Sequence, residues 1–527
     1  MVSPIVIRGG RVIDVTRRTV EPRDILVNGD TITEIGQPGL AAPADARVVD
    51  ASGRLISPGL INAHTHGHGA LARGSGDRWT LELLLNAAGW LGGNRTMDDR
   101  YLSTQIAAVE MVSKGCTACY DLFFEFPSPS VEGIEAAARA YADVGMRAVI
   151  APMMADRTFW QAIPGLMDAL PAGPRGEIER IRLAPWETSL ATARRAIETG
   201  KVDRDLIRFA LGPTIPLHCS DEFIVGCRDA ARDLGVGVHM HVAESKVQAV
   251  SGLAKYGKTL VAHLDALGLL GPSFTAAHCV WLDDGDIARF ADRGVSVAHN
   301  PGSNMRLGAG VARVRRMLDH RVNVGIGTDG ANCSDNQNVF EAMRLASLVS
   351  RIQGHDPERW LATEDVFAAV TVGGARALGF GDSLGRLVPG AKADLVLLDL
   401  GHMNWVPLHD PINQMVHAED GTAVESVMIG GRLVVDRRRV VGVDTAQLAA
   451  RAQAAVERLR AANAPLRQLA DQLIPAVGKF CGGLTATPYR VERHIHEMGG
   501  PDMAPHTPQT LGPSRGTRGG PRSTDGE

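Results

Sequence analysis

Four short stretches carry side chains able to bind a metal ion or move a proton. They are Asn62-Ala63-His64-Thr65-His66, His239-Met240-His241-Val242-Ala243-Glu244, Ala276-Ala277-His278-Cys279 and Gly327-Thr328-Asp329-Gly330. In an extended strand, residues two apart face the same side, so His64 and His66 can aim their imidazoles together. Three neutral imidazoles and one carboxylate suit zinc or another borderline divalent ion, with room left for water. The candidate ligands are His64, His66, His241 and Asp329. His241 is chosen over His239 by its three-residue spacing to Glu244. A divalent ion lowers the pKa of bound water to near 7, so hydroxide becomes available at neutral pH. Attack on a carbon bearing nitrogen then needs a base for the water proton and an acid for the nitrogen. Asp329 can act as ligand and base, Glu244 as proton donor, and His278 can hydrogen-bond the attacking oxygen or polarise the electrophile. Each residue alone has a plainer reading: a packed histidine, a turn at Gly327–Gly330, a helix start at Glu244. The argument rests on the joint pattern.

That pattern needs elements to bring the four stretches together. Candidate strands lie at 61–66, 117–122, 147–152, 207–212, 236–242, 274–278, 294–299 and 322–328, with helical stretches such as 99–114, 131–144 and 221–234 between them. Eight strands, each followed by helical sequence, predict an α/β fold with a (β/α)8 TIM barrel, whose catalytic groups sit at the C-terminal strand ends. All four stretches fall at such ends. Residues 4–55 and 383–442 read instead as short strands broken by turns, and the two segments are expected to pair as one small β-sandwich domain. The expected organisation is therefore 1–57 with 383–442 as the small domain, 58–382 as the barrel, 443–500 as C-terminal helices broken near Pro465, and 501–527 as a disordered tail.

Composition narrows the class. The chain has 527 residues, 45% hydrophobic and 22% charged, with a formal net charge of −4. That is ordinary globular composition, and it gives no reason to expect a nucleic-acid or membrane surface. Seven cysteines, an odd and sparse set, do not form a disulfide framework. Cys116 and Cys119 make a CxxC without a second pair, inside what reads as a buried strand. The N-terminus lacks a signal-peptide pattern and no apolar run reaches membrane-span length, so a cytoplasmic protein is expected.

Further matching segments are Ser57-Pro58-Gly59-Leu60-Ile61, His299-Asn300-Pro301-Gly302-Ser303-Asn304 and Gly385-Arg386-Leu387-Val388-Pro389-Gly390-Ala391-Lys392-Ala393-Asp394-Leu395. With the four stretches above, they run in order from Ser57 to Leu395, and the resemblance they carry covers about residues 5–440. On these the chain resembles the amidohydrolase superfamily, in its cytosine-deaminase-like and triazine-hydrolase branch. That branch includes methylthioadenosine/S-adenosylhomocysteine deaminases, guanine deaminase and atrazine chlorohydrolase. The resemblance implies one divalent metal, zinc or alternatively ferrous iron, on His64, His66, His241 and Asp329. It gives Glu244 and His278 the proton-transfer and orienting roles, and implies a homo-oligomer acting on a small molecule. A strand-four lysine of the two-metal kind is not found, which favours a single ion.

Two departures bear on substrate. Nucleoside deaminases usually carry a histidine where this chain has Thr214, and residues 67–79 lack the acidic stretch typical of adenosine-type enzymes. Both weigh against an adenine nucleoside. Trp79, Trp90 and Asn304 are the candidates for substrate contact, and Phe123, Phe124 and Trp160 are further possible pocket residues. The expected reaction is hydrolysis of a non-peptide C–N bond, first deamination of an aminated heterocycle, with amide, urea or carbamate cleavage as the alternative. A non-catalytic scaffold is the remaining class, and retention of every candidate ligand argues against it.

Overall fold

In this computed structural model, which describes residues 3–495, the eight candidate strands all form. They are β1 (Leu60–His66), β2 (Cys116–Phe123), β3 (Arg147–Met154), β4 (Ile207–Pro213), β5 (Gly237–Val242), β6 (Phe274–His278), β7 (Ser296–His299) and β8 (Asn323–Ile326). They lie side by side in sequence order and pair in parallel. A ninth piece, β9 (Asp329–Gly330), follows two residues after β8 and pairs with β1, Asp329 opposite Thr65 and Gly330 opposite His66. The sheet thus curls until its last segment meets its first.

The break between β8 and β9 departs from the single strand expected over 322–328. The chain is tightly packed at the break: a Cβ at Gly327 would stand 2.8 Å from the backbone nitrogen of His64 and 2.3 Å from Asn300 Oδ1. Only glycine lets the chain pass there. Asp329 then takes a left-handed conformation, φ 61°.

Continuous burial of β1 and β2 is what a parallel sheet covered on both faces requires. Side chains as small as Ala63, Ala118, Ala151, Ala210 and Ala298 fill the inside with Ile61, Tyr120, Leu122 and Val149. The flanking helices begin where side chains can cap them. Thr96 and Asp99 form a capping box for α2 (Met97–Ser113), which follows α1 (Leu81–Gly92). Ser130 caps α3 (Val131–Val144), and Ser220 caps α4 (Asp221–Leu234). Gly145 and Gly235, both left-handed, end those two helices.

The terminal segments do pair. Ile5–Asp14 lies antiparallel to Thr19–Asn28 and parallel to Arg54–Pro58, which lies antiparallel to Leu395–Asp399 with Ile56 opposite Leu397. Val424–Ile429 and Arg432–Asp436 extend the same sheet. Arg147, at the start of β3, makes a bidentate buried ion pair with Asp394 at 2.7 and 3.0 Å, tying this sheet to the ring. Residues through Arg493 hold together as one compact unit.

Two C-terminal helices follow, α5 (Thr445–Ala462) and α6 (Ala464–Thr485). Pro465 sits in the first turn of α6, where a missing N–H costs nothing. The second helix runs to Thr485 with Pro475 inside it. The tail expected over 501–527 lies outside the described residues. Cys116 and Cys119 are both buried in β2, and burial pushes the Cys116 thiol up to about 12, so the pair is unreactive packing. Among the described residues no helix is long and apolar enough to cross a membrane.

Candidate metal centre

At the C-terminal rim of the ring, His64 and His66 from β1, His241 from β5, His278 from β6 and Asp329 from β9 converge. Their ring and carboxylate atoms lie close: His66 Nε2 is 3.2 Å from Asp329 Oδ1 and 3.2 Å from His241 Nε2, and His64 Nε2 is 3.5 Å from Asp329 Oδ1. Glu244, just past β5, brings Oε2 to 3.6 Å from His278 Nε2, which stands 3.8 Å from Asp329 Oδ2.

Backbone carbonyls fix the tautomers. His66 Nδ1 donates to the Leu122 carbonyl at 2.7 Å, and His241 Nδ1 donates to the Thr214 carbonyl at 2.7 Å. In the neutral rings both Nε2 atoms are then bare lone pairs facing each other. Two lone pairs at 3.2 Å repel unless a cation lies between them. Donor atoms 2.0–2.1 Å from a tetrahedral ion stand about 3.3 Å apart, close to the spacings found here. His64 is fully buried with neither ring nitrogen hydrogen-bonded, an arrangement that would be costly without a ligand. The donor set therefore fits a small divalent cation.

His239 occupies the layer below. It faces inward like His241, two residues on, but packs on the Tyr120 ring at 4.1 Å.

Electrostatics separate the two carboxylates. Burial, then the negative charges of Asp329 and Glu82, push Glu244 well above the ordinary carboxylate range. Burial also pushes Asp329 up, but His64, His278 and His66 more than offset it and hold the carboxyl well below that range. Burial lowers His64 to about 3, so its imidazole is neutral at pH 7. Backbone at Ala243, His278 and Asp329 is left-handed (φ 50°, 68° and 61°) where the chain leaves each strand or enters the centre. Such conformations cost about 1–3 kcal/mol and persist where the surroundings impose them.

The centre opens into a cavity of about 500 Å³ lined by His66, His68, His241, Glu244, His278 and Asp329 at its floor. Its walls are mostly apolar, with Leu84, Leu85, Phe124, Trp160 and Leu466 among them. Phe124 and Trp160 thus reach the cavity, and Phe123 does not. Trp79, Trp90 and Asn304 do not line it either. The two tryptophans pack edge to face on each other at 6.2 Å, Arg467 covers Trp90, and Gly76 abuts Trp79. Asn304 sits behind His278 and accepts from its Nδ1 at 2.9 Å.

Sequence reasoning missed His68, His218 and Leu466. His68 continues the alternation of His64 and His66, although the chain there has already turned into a 3-10 helix, and its Nδ1 accepts from the Phe124 amide at 3.2 Å. His218 comes from the segment after β4 that also supplies Thr214, whose side chain likewise borders the cavity. Leu466 arrives from α6 and carries no local signal.

Comparison with known proteins places this geometry. A sequence model of the amidohydrolase family matches residues 55–434. The chain is 33% identical over 437 residues to the 5'-deoxyadenosine deaminase of Methanosarcina mazei, covering 82% of this chain and 93% of that protein. It is 34% identical over 437 residues to the 5-methylthioadenosine/S-adenosylhomocysteine deaminase of Syntrophobacter fumaroxidans, covering 81% and 92%. Among solved structures, the zinc-bound adenosine deaminase of Xanthomonas campestris superposes with a TM-score of 0.78 at 28% identity, covering 87% of this chain and 99% of that one. The zinc complex of atrazine chlorohydrolase from Arthrobacter aurescens gives 0.77 at 27%, covering 86% and 100%.

Proposed function

Because the chain belongs to the amidohydrolase family, we propose that it hydrolyses the C–N bond of an aminated heterocycle and releases ammonia, using one divalent ion. His64, His66, His241 and Asp329 hold that ion, zinc for preference and ferrous iron as the alternative for the same donors. When bound, the ion lowers the pKa of a water to near 7 and so supplies the nucleophile at neutral pH.

The chain's own residues do the rest. Asp329 accepts the water proton as the oxygen attacks the amine-bearing ring carbon. Glu244, kept protonated by burial and by the charge of Asp329, donates to the neighbouring ring nitrogen. His278, tied at Nδ1 to Asn304, directs Nε2 at the reacting oxygen and orients it. The proton taken by Asp329 passes to the exocyclic amine, which leaves as ammonia while the remaining proton of the attacking oxygen returns to Glu244, so that a carbonyl forms and both carboxyl groups end as they began. One water is consumed, one C–O bond forms and one C–N bond breaks.

The observation carrying this reading is the convergence of His64, His66, His241, His278, Glu244 and Asp329 at the strand ends, bare imidazole nitrogens standing beside two buried carboxyl groups; the opposite pull on the two carboxyls suits a division into acid and base. The relatives favour an adenine nucleoside without a 5' hydroxyl. A second reading, an aminated triazine with apolar substituents, is favoured by Thr214 and by the apolar cavity walls. In the same reading, residues 1–57 and 383–442 form a small β-sandwich domain beside the barrel of 58–382, with helices over 443–500. Ammonia release by zinc-loaded protein tests the function, over 5'-deoxyadenosine, 5'-methylthioadenosine, S-adenosylhomocysteine, N-alkylated aminotriazines and a set of acyclic ureas and amides. Turnover of a urea or amide with no ammonia from any amino-heterocycle would overturn it.

A further inference from the structure

Arg493 lies beyond the residues matched by the family model, yet only 7% of it is exposed. Among the described residues no carboxylate stands within ion-pair distance of its guanidinium, which is spent on carbonyls instead. Nε donates to the Val280 carbonyl at 3.0 Å, and Nη2 donates to the Leu282 carbonyl. Both belong to the loop that leaves β6 directly after His278. The Arg493 carbonyl in turn accepts from the Val311 amide at 2.9 Å, and its backbone packs on Gly310, whose φ is +110°. That second loop follows the short helix Pro301–Arg306, which leaves β7 and carries Asn304, the partner of His278 Nδ1. Trp281 Nε1, donating to Ala309 at 2.7 Å, links the same two loops.

We propose that Arg493 is a positioning residue for His278. It staples the loop after β6 to the loop after β7, and so holds the His278 and Asn304 side chains at hydrogen-bonding distance. His278 and Cys279 are left-handed, with φ 68° and 53°. A strand end in that conformation stays put only while the surroundings enforce it. A charged group is retained where it is costly to bury because its fork-shaped set of donors satisfies two carbonyls of one loop while its own backbone binds the other.

The test uses the full-length, zinc-loaded protein. In a crystal structure of Arg493→Met, the 2.9 Å contact between His278 Nδ1 and Asn304 Oδ1 is expected to open beyond hydrogen-bond distance, with zinc content unchanged. This arm does not depend on substrate. The kinetic arm rests on the deaminase reading. There kcat should fall about 10- to 100-fold with KM within about threefold of the parent. Adding Arg493→Met to His278→Gln should cost nothing further, since both act through one imidazole. Arg493→Lys, able to reach one carbonyl only, should give a smaller change in the same direction, and it decides the matter if Arg493→Met does not fold. A His278–Asn304 bond retained in the variants overturns the proposal. So does an Arg493→Met effect that repeats in full on His278→Gln, which would mark a general structural role. Absence of ammonia release by the parent on every amino-heterocycle would sink the deaminase reading and leave the crystallographic arm to judge Arg493.

Discussion

Glu244→Gln separates proton donation from metal binding. The carboxylate oxygens of Glu244 and Asp329 lie within 4.8 Å. At an effective dielectric of about 20, two ionised carboxylates that close repel by about 3.5 kcal/mol or more. Burial and that repulsion push Glu244 well above the ordinary carboxylate range, while the imidazoles around Asp329 hold its carboxyl well below it. Glutamine keeps the shape of the protonated acid and carries no charge, so it replaces Glu244 with little disturbance. Fold stability should fall by no more than about 1–3 kcal/mol, the cost of one buried amide donor left unpaired, and zinc per chain should match the parent. Turnover should not survive in proportion: loss of a positioned acid removes about 10²- to 10⁴-fold, or about 3–5.5 kcal/mol of barrier. Ammonia release under saturating substrate, thermal unfolding, and metal analysis of the same preparation would measure all three. Zinc content below half of the parent's would show Glu244 to be a ligand. Turnover within tenfold of the parent would refute its role as the acid.

Asp329→Asn should abolish turnover and weaken zinc binding while the circular dichroism spectrum stays that of the parent; an active variant would remove Asp329 as base. Phe124→Ala should raise KM about tenfold, equivalent to ~1.4 kcal/mol of apolar contact, whereas Trp79→Ala, off the cavity, should leave KM unchanged; the reverse pattern would mean the substrate lies elsewhere. Asp24 is a stability test remote from the site. Burial pushes its carboxyl up, but the amides of Gly39, Gly9 and Leu40 and the Arg8 guanidinium outweigh this and hold it below its ordinary value of 3.8. Its stabilisation is thus complete above pH 3.8 and is lost as pH falls through the lower, folded value. Asp24→Asn should cost about 1–3 kcal/mol at pH 7, and denaturant melts should show that cost shrinking toward pH 2.

Local sequence determined the elements that place this site. Alternation at His64 and His66, the β-rich runs between helical stretches, and the capping residues at Thr96, Ser130 and Ser220 are all short-range signals. They located eight strands and the residues at their ends. The pairing of the two terminal segments was legible as well, because a short strand cannot stand alone. What the sequence could not supply was distance. That His239 lies beneath the centre and His241 within it depends on how far each rises along β5 toward the rim. Trp79 and Trp90 had the chemistry of pocket residues, but α6 and Arg467 cover Trp90, and the two rings pack on each other away from the cavity. The need for glycine at Gly327 comes from the backbone of His64 beside it, a contact between residues more than 260 positions apart. Leu466 in the cavity wall and Arg493 behind His278 come from a C-terminal segment that no nearby motif announces. Side-chain periodicity tells which way a residue faces along its own element. Which residue it then faces is decided by the closure of the ring and the return of residues 464–493 across it.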